Sequence, residues 1–138
     1  MLIPGKSKYK KQFKGRYRQQ SSQGSVLSFG HYGMKVMGYA RLNSRHIEAA
    51  RKVITKRLPK SSRLWINIFP NLPVSKKPTD VRMGKGKGSV EEWVFRVSPG
   101  RIIFELSGCD EETARLVLLR ASAKLPVSCR FTYLGEML

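Results

Sequence analysis

Apolar positions along the first half of the chain follow strand spacing, then helix spacing, then strand spacing again. Residues 25–42 are rich in apolar residues and broken by glycines, which predicts two short strands or a bent hairpin. Between Ile47 and Leu58 the apolar residues recur every three or four positions, which predicts an amphipathic helix capped by Asn43 or Ser44. The alternation over residues 63–69 then predicts a strand buried on at least one side.

The second half predicts a similar set of elements. Residues 70–78 contain three prolines and are expected to be irregular. Residues 92–97 and 101–106 are expected to form two strands joined as a hairpin. A helix over residues 110–125 and a last strand over residues 127–133 complete the chain. The order predicts an α+β fold, in which two helices pack on a mostly antiparallel sheet.

Three large aromatic residues fall within the predicted strands. Trp65, Phe69 and Trp93 occupy positions of the strand patterns, and we expect their rings in the core.

Charge is distributed very unevenly over the 138 residues. The chain carries 27 Lys and Arg against 9 Asp and Glu, a formal charge of +18. Residues 1–47 contribute +10, residues 48–90 contribute +9 and residues 91–138 contribute −1. The first two thirds therefore predict a surface for an anionic partner, with nucleic acid ahead of a membrane surface.

The N-terminal residues 1–24 are expected to form a basic arm ahead of a single domain over residues 25–138. Tyr9, Phe13 and Tyr17 are interleaved with the cations at a spacing of four, which would also suit a short helix. Such an arm can lie along phosphates while its rings stack on bases. A transit peptide and a solvated tail are the alternatives. Its candidate RNA-binding residues are Lys6, Lys8, Lys10, Lys11, Lys14, Arg16 and Arg18.

Two further segments combine cations with a geometry suited to phosphate. The polar side of the first predicted helix is almost purely cationic, and its candidate contacts are Arg45, Arg51, Lys52 and Lys56. The loop over residues 76–89 is long for a small domain and alternates glycine with lysine near its end. Glycines let backbone approach phosphate, and lysines add charge, so we expect this loop to be mobile alone and ordered against RNA.

Residues that suggest catalysis are few. His31, His46, Cys109 and Cys129 are the candidates for an RNA-acting enzyme, and the helix that follows Cys109 would lower the pKa of its thiol. Their spacing matches no metal motif, so we expect no metal and no cofactor. No apolar run approaches the ~20 residues that span a bilayer, so we expect no membrane partner.

Several motifs in order along the chain resemble the bacterial-type ribosomal protein sixteen of the large subunit. The most specific is the run from Arg82 to Gly88, followed by Glu92-Trp93-Val94 and Pro99-Gly100-Arg101. Further matches are Met1-Leu2 with Pro4, Ser28-Phe29-Gly30, Ile47-Glu48-Ala49-Ala50-Arg51, Trp65-Ile66, Phe69-Pro70 and Ala123-Lys124-Leu125-Pro126.

This resemblance implies a hammerhead-like α+β fold and a structural role in the large ribosomal subunit, without catalysis. It implies that the arm binds large-subunit rRNA and that the protein helps to position tRNA beside the peptidyl-transferase region, on the side where tRNA enters. The partners would be rRNA, tRNA and neighbouring ribosomal proteins, and not a second copy of the chain. The residues nearest to tRNA would be Arg82, Met83, Gly84, Lys85, Gly86, Lys87 and Gly88.

Departures from the family pattern bear on the compartment. Asn67 stands where the family usually carries arginine, and Asn71-Leu72 replaces a usual Asp-Lys pair. This drift suggests an organellar version, and because the resemblance starts at Met1 we expect it to be encoded in the organelle. The mitochondrial matrix is favoured, the bacterial cytoplasm is the alternative, and a plastid fits less well. Outside the ribosome, the alternative functions are a stand-alone basic RNA-binding factor, an RNA-acting enzyme, and a non-specific DNA or membrane binder.

Overall fold

The computed structural model describes residues 2–16 and 19–135, which form two antiparallel sheets and two helices. The elements in chain order are β1 (Tyr32–Val36), β2 (Ala40–Asn43), α1 (Ser44–Arg57), β3 (Arg63–Ile66), β4 (Leu72–Lys76), β5 (Ser89–Val97), β6 (Ile102–Ser107), α2 (Glu111–Ser122) and β7 (Cys129–Tyr133). The first sheet has the order β3-β6-β1-β7 and the second has the order β2-β5-β4. The predicted α+β class is confirmed, with two sheets in place of one.

Both helices begin at the predicted caps. The Asn43 side chain accepts a hydrogen bond from the His46 backbone N–H at 2.9 Å, and His46 Nδ1 accepts one from the Asn43 backbone N–H at 3.4 Å. Asp110 accepts a hydrogen bond from the Thr113 backbone N–H at 2.9 Å, which lowers the pKa of its carboxyl group. Because each cap satisfies a backbone donor of the first turn, the helices start where the sequence predicts. The second helix ends at Ser122, earlier than predicted.

Residues 25–42 contain two short strands, as one of the two alternatives predicts, but these strands do not form a hairpin. The hairpin predicted over residues 92–106 is wrong, and the chain changes sheets at both places. β1 pairs with β6 and β7, whereas β2 pairs with β5. The turn after β5 bonds to the end of β1: the Val36 N–H donates to the Arg101 carbonyl at 2.8 Å, and the Gly100 N–H donates to the Val36 carbonyl at 2.7 Å. Gly100 has a φ of +93°, which favours glycine, and this turn carries the chain from one sheet to the other.

The expectation of an irregular segment over residues 70–78 is also wrong, since it contains β4. Pro73 lies within this strand and pairs with Trp93 of β5. β4 lies at the edge of its sheet. An edge strand has one side without pairing demands, so a missing N–H is tolerated there.

The core is mostly aliphatic, with a fully buried aromatic ring at Phe104, and is built from the apolar stripes of both helices and the facing strands. Its fully buried members include Met34, Leu42, Ile47, Ala50, Ile54, Phe104, Leu106, Ala114, Val117, Leu118 and Ala121. The expectation that Trp65, Phe69 and Trp93 are core residues is wrong: the two tryptophans are half-buried and Phe69 is 43% exposed. The Trp65 ring belongs to the edge strand β3 and stacks on Phe29, with 6.2 Å between centroids.

This position limits what Trp65 contributes to stability. We expect Trp65→Ala to lower the free energy of unfolding by about 2 kcal/mol, below the ~3–5 kcal/mol typical of a buried aromatic ring. Urea titration of Trp65→Ala, Phe29→Ala and the double variant measures the loss and the ~0.5–1.5 kcal/mol coupling of a stacked pair. If the double variant lost only the sum of the two single-variant losses in unfolding free energy, the result would contradict the stacking of the two rings.

Candidate nucleic-acid interface

The basic arm is tied to the domain at both ends. Leu2 is partly buried and packs against the core cluster. At the other end, the Ile102 N–H donates to the Gly24 carbonyl at 2.8 Å. The arm residues between these points that the structure describes form no helix, so the rings of Tyr9 and Phe13 do not share a helical face. Tyr17 and Arg18, which we place in the arm, lie outside the described residues.

Two arginines hold the backbone of the arm. Arg96 Nη1 donates to the Lys14 carbonyl at 2.6 Å, and Arg101 Nη1 donates to the Gln23 carbonyl at 2.9 Å. In both cases the next arm residue is a glycine with a φ of +66°. Neither arginine stands out in the charge pattern, because both lie in the electrostatically ordinary last third. The only signal in the sequence is the pair of arm glycines, Gly15 and Gly24.

The cations of the arm face outwards. Tyr9 and Phe13 are 62% and 94% exposed, and Lys8 Nζ lies 5.5 Å from the centroid of the Tyr9 ring. Exposed cations and rings together can serve both the phosphates and the bases of single-stranded RNA. The exposed candidate cations within the described arm are Lys6, Lys8, Lys10, Lys11, Lys14 and Arg16.

A buried carboxylate fixes the segment that links the arm to β1. Glu105 in β6 is fully buried, and it accepts hydrogen bonds from the backbone N–H groups of Phe29 at 2.7 Å and Gly30 at 2.8 Å. The Ser28 N–H donates to it at 3.1 Å, and the side-chain amide of Asn67 also donates to it. Asn67, a departure from the family pattern, is therefore engaged inside the protein.

The first helix presents three of its four candidate cations without an ion pair among the described residues. Arg45, Lys52 and Lys56 are exposed. Arg51 pairs with Glu48 at 2.6 Å, which lowers the pKa of the Glu48 carboxyl and raises the pKa of the Arg51 guanidinium. Among the four candidate cations of this helix, Arg51 therefore has a carboxylate partner that would compete with an RNA phosphate.

The glycine-lysine loop extends from the edge of the second sheet. Its residues 81–87 are all exposed, and Met83 is 90% exposed. Gly84, Lys85 and Gly86 have φ values of +106°, +54° and +97°, a run in the left-handed region that glycine permits. The Lys77 ammonium donates to the Gly84 carbonyl, and the loop meets the arm at Lys87. The structure thus brings the two predicted RNA-facing segments into contact.

The four candidates for an RNA-acting enzyme, His31, His46, Cys109 and Cys129, lie in different parts of the fold. The expected lowering of the Cys109 pKa is wrong: burial raises it, and the neighbouring Asp110 carboxylate adds to this effect. Burial raises the pKa of the Cys129 thiol to about 11. His46 is occupied by its helix cap, and His31 is exposed. Among residues 2–16 and 19–135 there is no group of three or more side chains suited to a metal ion, and no helix long and apolar enough to cross a membrane.

The raised pKa values of Cys109 and Cys129 predict slow alkylation of both thiols. A raised pKa means less thiolate at neutral pH, so we expect both cysteines to react with iodoacetamide at pH 7.5 more slowly than free cysteine. Cys129, the more strongly shifted, should be the slower of the two until the pH nears about 11. Mass spectrometry of timed alkylation, with unfolded protein as the control, measures both rates. A Cys109 that reacted faster than free cysteine would contradict its half-buried position beside the Asp110 carboxylate.

Comparison with known proteins identifies the family of this arrangement. The family model described as "Ribosomal protein L16p/L10e" matches residues 4–132. Over 131 residues the chain is 56% identical to the large ribosomal subunit protein uL16 of Neorickettsia sennetsu, covering 95% of this chain and 94% of the relative. The uL16 proteins of Bartonella bacilliformis and Bartonella henselae are 54% and 53% identical, covering 95% of this chain and 96% of each relative. With a match of this extent, the chain belongs to the ribosomal protein L16p/L10e family.

Proposed function

We propose that this protein is a structural constituent of the large ribosomal subunit, which binds rRNA through its arm and first helix and helps to position tRNA through its loop. It is a ribosomal component and not an enzyme. The observation that carries the proposal is the arm: its cations face outwards while Arg96 and Arg101 hold its backbone on the domain. An extended arm that is already held in place can follow a phosphate backbone with its cations. It loses less conformational entropy on binding than a free tail does.

Sedimentation tests this function directly. The tagged chain, expressed in its own cell, is run through a sucrose gradient at high salt, and the RNA in its peak is sequenced. We expect it to migrate with large subunits. Recovery at the top of the gradient, without rRNA, would overturn the proposal in favour of a stand-alone RNA-binding factor.

The same RNA sequence decides the compartment. We expect a mitochondrial ribosome, which mitochondrial rRNA in the peak would identify. The three uL16 relatives come from bacteria, and bacterial rRNA in the peak would place the protein in the bacterial cytoplasm instead.

The loop has a prediction of its own. We expect Arg82→Ala with Lys85→Ala to leave the fold unchanged, since both residues are exposed, and to weaken tRNA binding by reconstituted large subunits about tenfold, which corresponds to about 1.4 kcal/mol of binding free energy. Filter binding of tRNA measures the effect. The matched control is Arg120→Ala with Lys124→Ala, which removes the same charge elsewhere. Equal tRNA affinity of the two variants would refute the assignment of the loop.

A further inference from the structure

The loop and the arm are joined by reciprocal contacts at Lys87. Lys11 Nζ donates to the Lys87 carbonyl at 2.9 Å, and Lys87 Nζ donates to the Gln12 carbonyl at 2.8 Å. The Lys87 ammonium also lies 5.6 Å from the centroid of the Phe13 ring, within reach of a cation–π interaction. Both the backbone and the side chain of Lys87 are therefore committed to the arm.

Two other cations of the loop, Arg82 and Lys85, are placed differently from Lys87. Within the described residues, Arg82 and Lys85 have no hydrogen bond or ion pair through their side chains, and both are exposed. A cation without a partner can approach a phosphate without first breaking a contact, whereas Lys87 would have to leave the arm. Of these three cations, Arg82 and Lys85 therefore face solvent, whereas Lys87 is bound to the arm.

The arm is fixed close to this contact. Arg96 of β5 holds the Lys14 carbonyl at 2.6 Å, two residues from the Gln12 carbonyl that Lys87 binds. On the other side of the loop, Lys77 binds the Gly84 carbonyl. Gly88 lets the end of the loop run close to β4: a Cβ there would lie 2.6 Å from the Lys76 carbonyl oxygen. The contacts thus run from β5 through the arm to Lys87, and Lys77, one residue beyond β4, binds the Gly84 carbonyl within the loop.

We propose that Lys87 is a positioning residue, which docks the loop on the arm so that the seated arm sets the direction of Arg82 and Lys85. The RNA partners of arm and loop rest on the proposed function, whereas the docking itself is a property of the chain. An arm held by rRNA would then present the loop in one orientation, and a displaced arm would release it.

Nitrogen-15 relaxation and proton NOE measurements on the full chain test the docking. The variants are Lys87→Met, which removes the ammonium, Lys87→Arg, which keeps a cation, and Lys85→Met as the matched control. In the parent we expect an NOE between the Phe13 ring and the ε-methylene of Lys87. In Lys87→Met we expect amides 11–14 and 84–88 to lose order together, from the ~0.85 typical of rigid backbone to below ~0.6. Lys87→Arg should restore the parent values, and Lys85→Met should not change them.

Two results would overturn the inference: absence of the Phe13–Lys87 NOE in the parent, or equal order parameters in Lys87→Met and Lys85→Met. Unchanged core amides show that each variant is folded. Failure here leaves the proposed function intact if the chain sediments with large subunits. Conversely, a chain that shows the coupled loss of order but stays free of rRNA refutes the ribosomal function and leaves the docking standing.

Discussion

Replacing Glu105 with alanine is expected to lower the free energy of unfolding by about 3–5 kcal/mol, because several N–H donors would lose the acceptor that they share. The carboxylate is fully buried and serves three backbone N–H groups of residues 28–30 and the Asn67 amide. Each buried donor left without a partner costs about 1–3 kcal/mol. The loss is therefore large even if water reaches part of the space. Urea denaturation followed by circular dichroism measures it.

Two controls separate the hydrogen bonds from the charge. Glu112→Ala removes an exposed carboxylate from the first turn of α2 and should cost less than about 1 kcal/mol. Glu105→Gln keeps one carbonyl oxygen as an acceptor and should fall between parent and alanine variant. If Glu105→Ala unfolded at the same urea concentration as Glu112→Ala, the carboxylate would not anchor the segment that carries the arm.

Neutralising the arm is expected to have the largest effect on RNA binding. Replacing its six described cations with glutamine should lower the slope of log K against log salt concentration by up to about 4, since each phosphate that is no longer neutralised reduces the slope by about 0.7. Proteins that neutralise 6–10 phosphates weaken roughly 10³–10⁵-fold in affinity between 50 and 200 mM salt, and the variant should show little of this dependence. Filter binding to large-subunit rRNA transcribed from Neorickettsia sennetsu genes measures the slope. The residues changed are Lys6, Lys8, Lys10, Lys11, Lys14 and Arg16.

Two triple variants that remove the same number of cations from different parts of the chain control for net charge. The triple glutamine variant of Lys6, Lys8 and Lys10 removes arm cations that form no hydrogen bond or ion pair with the loop among the residues the structure describes. The matched variant changes three cations of the ordinary last third, Arg115, Arg120 and Lys124. We expect the arm triple to lower the slope by about 2 and the matched triple to leave it nearly unchanged. Equal slopes would show that the arm acts only through total charge.

The sequence predicts this fold well wherever the structure is local. Both helices follow from apolar spacing and a capping side chain, and Asn43 and Asp110 act within three residues of their own positions. Strand partners are not local, and the hairpin predicted over residues 92–106 is wrong because the turn at Gly100 carries the chain to the other sheet and not back along β5. The strand β4 is hard to predict because Pro73 indicates a break unless one knows that the strand lies at an edge.

The candidate interface also has parts that the sequence predicts and parts that it does not predict. The arm and the loop are visible in the sequence because charge and glycine spacing are properties of short segments. The contacts that hold the arm and the segment after it are not visible in the sequence. Arg96, Arg101 and Glu105 make these contacts with residues 75 to 82 positions away. Glu105 in particular resembles any strand residue until its burial is known. The assignment of individual cations to rRNA or tRNA stays a prediction, which the salt slopes and the tRNA-binding assay test.

The order of the first sheet has a consequence for how the protein folds as it is synthesised. β1 lies between β6 and β7, and Tyr32 pairs with Tyr133, close to the other end of the chain. When β1 leaves the ribosome that makes it, neither of its neighbours exists yet. Strand pairs between residues far apart in the chain form slowly, because the entropy of the long intervening segment is lost before the new contacts provide a favourable free energy. The cationic first third must therefore wait until β7 has been made, so we expect nascent chains that end before about residue 130 to depend on a chaperone or on RNA to stay soluble.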